Sequence, residues 1–124
     1  MSQLEQEMKE LEVSIEEAEK SVEKANALRR LMNNPDWISL IEQEYLREEA
    51  IRLSHLLGHP DSVFASKQEF IQTDLKGIAS FKRFLHTVLK IANIADEQII
   101  AHKNELDELR QIEANGGYSE EELG

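Results

Sequence analysis

Leu4, Met8, Leu11, Ile15, Ala18, Val22 and Ala25 recur with a 4-3-4-3-4-3 spacing, which lines one stripe of a helix for contact with a second helix. The pattern continues through Leu28, Leu31 and Met32, so a first helix is predicted over about 3–32, with Ser2 as its cap. It stops at Asn33-Asn34-Pro35-Asp36. Pro35 lacks an amide hydrogen and disfavours helical geometry at Asn34, so the chain kinks or breaks there. Asn34, Pro35 and Asp36 then supply a cap, a first-turn proline and an acid that complements the dipole of a new helix.

That second helix is predicted over about 35–57. Its apolar residues, Trp37, Ile38, Leu40, Ile41, Tyr45, Leu46, Ala50, Ile51, Leu53, Leu56 and Leu57, cover more of the circumference than one helix contact needs. Gly58-His59-Pro60-Asp61-Ser62 is the strongest turn signal in the chain. A third helix is predicted over about 62–115, interrupted only by Gly77, whose cost of about 1 kcal/mol a helix of this length tolerates. Its early part is broadly apolar and includes Phe70, Phe81 and Phe84, whereas its later part narrows to Ala92, Ala95, Ile99, His102, Leu106 and Leu109. Asn115-Gly116-Gly117 ends it, and residues 116–124 read as an acidic, mobile tail.

The spans from Leu4 to Leu57 and from Ser62 to Asn115 are equal, roughly 80 Å each at 1.5 Å per residue. The expected fold is therefore all-α: a single domain over residues 1–115 built as a long antiparallel, coiled-coil-like hairpin folded at Gly58–Ser62, with a kink or break at Asn33–Asp36. The alternative is an up-down-up three-helix bundle, if Asn33–Asp36 reverses the chain. In the hairpin, Leu4, Met8, Leu11, Ile15 and Val22 form a narrow seam against Ile99, Leu106 and Leu109, while Trp37, Ile41 and Tyr45 meet Phe81 and Phe84 near the turn. No window alternates apolar and polar residues as a strand would.

Charge refines the picture. Aromatic residues are 6% and charged residues 31% of the chain, a balance that suits long helices better than a large compact core. The net charge of −11 is placed unevenly: residues 1–24 carry −5, residues 96–124 carry −7, and the middle is close to neutral. An acidic protein of this kind is a poor direct binder of nucleic acid or anionic lipid. The hairpin brings both acidic segments to one end. Glu5, Glu12, Glu16, Glu19, Glu105, Asp107 and Glu108 are accordingly candidates for docking a basic protein surface.

Catalytic signals are lacking. Without cysteine there is no disulfide, thiolate nucleophile or Cys-ligated zinc. His55 and His59 have a metal-compatible spacing, but Gly58 interrupts the helix between them and no acid follows as in HExxH. Adjacent acids such as Glu16-Glu17 point about 100° apart on a helix and face solvent. No phosphate loop or nucleophile elbow occurs. His102 falls on the late seam, where a polar residue fixes register. Phe81-Lys82-Arg83-Phe84 is the only basic and aromatic grouping, and there both phenylalanines read as core. No cofactor is implied, and no apolar run is long enough for a membrane span.

The stretch from Leu31 to Gly116, above all NPDWISLIEQEYLREEAIRLSHLLGHP and DLKGIASFKRFLHTVLKIANIADEQI, resembles a family of small helical proteins encoded by tailed bacteriophages. The long hairpin also looks like the oligomerisation domain of small terminase subunits, although the chain has neither a helix-turn-helix segment nor a basic DNA-binding end. The members of that family are mostly uncharacterised, so the resemblance implies a phage origin; together with the wide apolar faces and the lack of catalytic motifs it leads to the expectation of a non-enzymatic, homo-oligomeric component of virion assembly or DNA packaging, located in the host cytoplasm or the virion. The alternative is an acidic DNA mimic, or an adaptor, that inhibits a host nuclease or defence protein. The expected partners are further copies of the chain and a phage or host protein with a basic surface.

Overall fold

A computed structural model describes residues 2–59, 61 and 65–117. The described residues contain no strand, and their helices are α1 (Gln3–Met32), α2 (Pro35–Trp37), a π-helical segment (Ile38–Glu49), α3 (Ala50–Leu56) and α4 (Gln68–Ala114). The fold class is all-α, and the pairings are those of a helical hairpin with a break at Asn33–Asn34. The chain divides into two compact units, one built from Met1–Ala25 and Lys90–Gly124, the other from Asn26–Leu89.

In the first unit, α1 pairs antiparallel with the second half of α4, since Glu12 meets Arg110 and Glu19 meets Lys103. The predicted seam is the core here. Leu4, Ile15, Ala18 and Ala25 are buried from α1, with Ala92, Ala95, Leu106 and Leu109 from α4. Met8, Leu11, Val22 and Ile99 are half-buried at its margins. Ala25 and Ala92 have no exposed surface at all, so small residues at the seam let the two backbones approach closely. Ser2 caps α1, its hydroxyl accepting from the Glu5 amide at 3.1 Å.

The second unit begins in the last turns of α1. At its break, the Asn34 side chain accepts from the Asp36 amide at 2.8 Å, and Pro35 opens α2, as the residue types dictate. Leu53, Ile71 and Ile78 form the buried cluster, with Leu46, Ala50, Leu56 and Leu75 packed on it. The cluster joins the π-helical segment and α3 to the first half of α4, while the antiparallel pairing of α1 with the second half of α4 is that of the hairpin and not of an up-down-up bundle. Gly58 ends the first arm at a positive φ of 77°, and the Gln68 side chain ties the arms together, accepting from the Gly58 amide at 2.6 Å and donating to the Leu56 carbonyl at 3.1 Å.

The segment Ile38–Glu49 departs from the predicted α-helix, for hydrogen bonding there runs in the wider i→i+5 register. Packing explains it. Residues five apart in an α-helix lie about 140° apart around the axis, so Ile41 and Leu46 would face different ways. The wider turn stacks Trp37, Ile41, Leu46 and Ala50 along one face, and all four are half-buried. The apolar stripe that was too broad for one contact thus becomes one face toward α4, with Tyr45 at its edge and Leu40 and Ile51 left outside it.

The long C-terminal helix begins at Gln68 instead of near residue 62; residues 62–64 lie outside the described residues, and Ser66 and Lys67 form a turn. It ends as expected, with Gly117 donating to the Ile112 carbonyl at 2.9 Å and Gly116 and Gly117 both at positive φ. Of the predicted tail, residues 118–124 lie outside the described residues.

Candidate functional site

Two surfaces of different character carry the predicted interaction residues. On the first unit, Glu5, Glu12, Glu16, Glu19, Glu105, Asp107 and Glu108 are all exposed. Two acidic segments side by side repel each other, and the C-terminal bases soften that repulsion. Arg110 lies 3.9 Å from Glu12 and 3.5 Å from Asp107, and Lys103 lies 4.0 Å from Glu19. Each partner is about half exposed, so these pairs set register more than they add stability. Among the described residues, Glu5, Glu16, Glu105 and Glu108 have no ion-pair partner.

The opposite side of the same pairing holds a groove of about 430 Å³ lined by Ser14, Ala18, Ser21, Ile91, Ile94 and His102, among others. His102 sits at the seam as predicted, and its buried Nδ1 has no hydrogen-bond partner.

On the second unit an aromatic cluster joins the two arms. Trp37 and Phe81 have ring centroids 6.3 Å apart, and the Tyr45 ring meets Phe81 edge-on at 6.2 Å, geometries that aromatic quadrupoles favour. Trp37 and Tyr45 thus both meet Phe81, and Ile41 is half-buried on the same segment. Trp37 Nε1 is also buried without a partner. Phe84 corrects the sequence reading, which placed it with Phe81 in the core: it is 62% exposed. Phe81 fills the space beside Trp37 and Tyr45, and Phe84, three residues on, is turned away from the partner arm. Phe70 is 72% exposed on the same helix. Sequence reasoning counted Phe84 as internal because the early part of this helix is broadly apolar.

Among the described residues, Glu49 and Arg52 form the one clearly perturbed ionisable pair. Arg52 donates two hydrogen bonds to the Glu49 carboxylate, one of them at 2.9 Å. That contact, and then the guanidinium charge, hold the Glu49 carboxyl below its ordinary range. Among the described residues no cluster of three metal-binding side chains occurs, and no helix is long and apolar enough to cross a membrane. Comparisons with protein-family models, curated proteins and solved structures returned no match.

Proposed function

We propose that this chain is a non-enzymatic helical interaction protein that works as a homo-oligomer. The exposed apolar surface of the second unit carries the reading. Residues 26–89 contain eight acidic and eight basic residues, so this unit is neutral while the rest of the chain holds the whole charge of −11. The neutral unit nonetheless exposes Leu40, Tyr45, Ile51, Leu57, Phe70 and Phe84, and apolar surface on that scale marks an interaction site.

The likeness to tailed-phage proteins supports virion assembly or DNA packaging as the setting, in host cytoplasm or virion. The exposed, unpaired acids Glu5, Glu16, Glu105 and Glu108 support a second contact there with a basic phage or host protein.

Light scattering during size-exclusion chromatography tests this at about 0.1 M and about 1 M salt, where screening shortens from ~10 to ~3 Å. A closed oligomer of the same mass in both is expected, since the neutral unit associates through apolar contact. A monomer at both salt concentrations would overturn the reading and favour an acidic mimic or adaptor.

A further inference from the structure

Phe70, Thr73, Gly77, Ser80, Phe84 and Thr87 repeat with a 3-4-3-4-3 spacing along α4, the period that keeps one face of a helix turned toward a neighbour. All six are exposed, and none is charged in a chain that is 31% charged. This is a second seam on α4, apart from the buried one of Ile71 and Ile78; Tyr45 and Glu49 border it beside Thr73 and Gly77, and all six of its residues remain exposed. Gly77 is its centre. A Cβ added there meets nothing within 4 Å, so internal packing gives no reason for glycine at a position where it costs about 1 kcal/mol relative to alanine. The Thr73 hydroxyl donates to the Glu69 carbonyl at 2.9 Å, so the seam's central threonine is satisfied when water leaves.

We propose that this face is where a second copy of the chain docks, the two α4 helices crossing antiparallel at Gly77 about a two-fold axis. The inference rests on the homo-oligomer reading and names its interface. Phe70 and Phe84 lie seven residues to either side of Gly77, so the two-fold operation sets Phe70 against the partner's Phe84 and closes the contact on itself. Glu69, Lys76 and Arg83 run along one edge of the seam and are exposed. Crossing antiparallel brings Glu69 beside the partner's Arg83, twice. Lys76 lies beside the partner's Lys76 near the axis, one like pair against these two opposite pairs, so the charges along this edge on balance favour the crossing. The acids of the first unit are absent from this neutral face, so like copies approach here without their repulsion.

A thiol placed on the axis tests the geometry, because the chain has no cysteine of its own. Helices that cross about 10 Å apart, with Cα atoms about 2.3 Å from each axis, leave facing Cα atoms about 5.4 Å apart, within reach of a disulfide. Gly77→Cys should form a covalent dimer under mild oxidation, and Gln72→Cys, on another face, should not. In parallel, Phe70→Glu and Phe84→Lys should each lower the particle mass about twofold, and the double variant should regain it, since each new carboxylate then meets the partner's new ammonium. Both phenylalanines are largely exposed, and unchanged circular dichroism would exclude unfolding as the cause. An oligomeric wild type whose Gly77→Cys variant stays uncrosslinked and whose Phe84→Lys variant keeps its mass overturns this interface alone. A monomeric wild type overturns the homo-oligomer reading as well.

Discussion

Ile41 and Leu46 are five residues apart and share one face of their helix, because the backbone between Ile38 and Glu49 hydrogen-bonds in the π register. The wider turn keeps the aromatic end of the unit, Trp37 against Phe81, in line with the aliphatic cluster around Leu53. Such segments are usually single-turn bulges at functional sites. Here the register also decides which apolar side chains remain for a partner.

The register is checked by paired substitutions. Leu46→Ala should destabilise by about 2 kcal/mol, the low end for a large aliphatic residue because the site is half-buried. Leu40→Ala, at 57% exposure, should change stability by less than about 0.5 kcal/mol. Urea melts of both variants settle it, and equal costs would argue for an ordinary α-helix.

Close packing at the alanine seam predicts a penalty for added hydrophobic bulk. Ala92 is fully buried beside α1, so Ala92→Leu should cost about 1–3 kcal/mol although it adds apolar surface. A thermal scan that shows no loss would mean that the first unit pairs more loosely than its buried alanines indicate.

The cap at the break contributes separately. Asn34→Ala removes the acceptor for the Asp36 amide and should cost about 1 kcal/mol, readable in the same urea melts.

Glu49 gives the pH dependence a sign. Its carboxyl titrates below the ordinary range when folded, because Arg52 hydrogen-bonds to the charged form. The stabilisation from this pair is therefore fully present above the unfolded carboxylate range and is lost as pH falls through the lower folded value. A carbon-detected NMR titration should find Glu49 below the ordinary carboxylate range, and Arg52→Ala should raise it. The pair lies at the surface, so the global effect is small.

Much of this fold is legible in the sequence because heptad spacing and breakers act locally. The seam from Leu4 to Ala25, the cap at Asn34 and the turn at Gly58 each follow from a few residues and elementary sterics. The π register does not, since it arises from a conflict between Trp37, Ile41 and Leu46 that only packing against Phe81 and Ile78 resolves. Phe84 was misplaced for a related reason: a broadly apolar helix does not announce which stripe its own chain will cover. The second seam shows only once Ile71 and Ile78 are known to be buried. The acidic segments were correctly located, whereas the pairings of Arg110 with Glu12 and of Lys103 with Glu19 depend on the alignment of two distant helices.

The most direct measurement is the absolute mass of the wild-type chain by sedimentation equilibrium over about a hundredfold range of concentration, at high salt. Association through the neutral, apolar face of the second unit requires an integral multiple of 14.3 kDa, unaffected by salt. A mass of one chain throughout that range would contradict it.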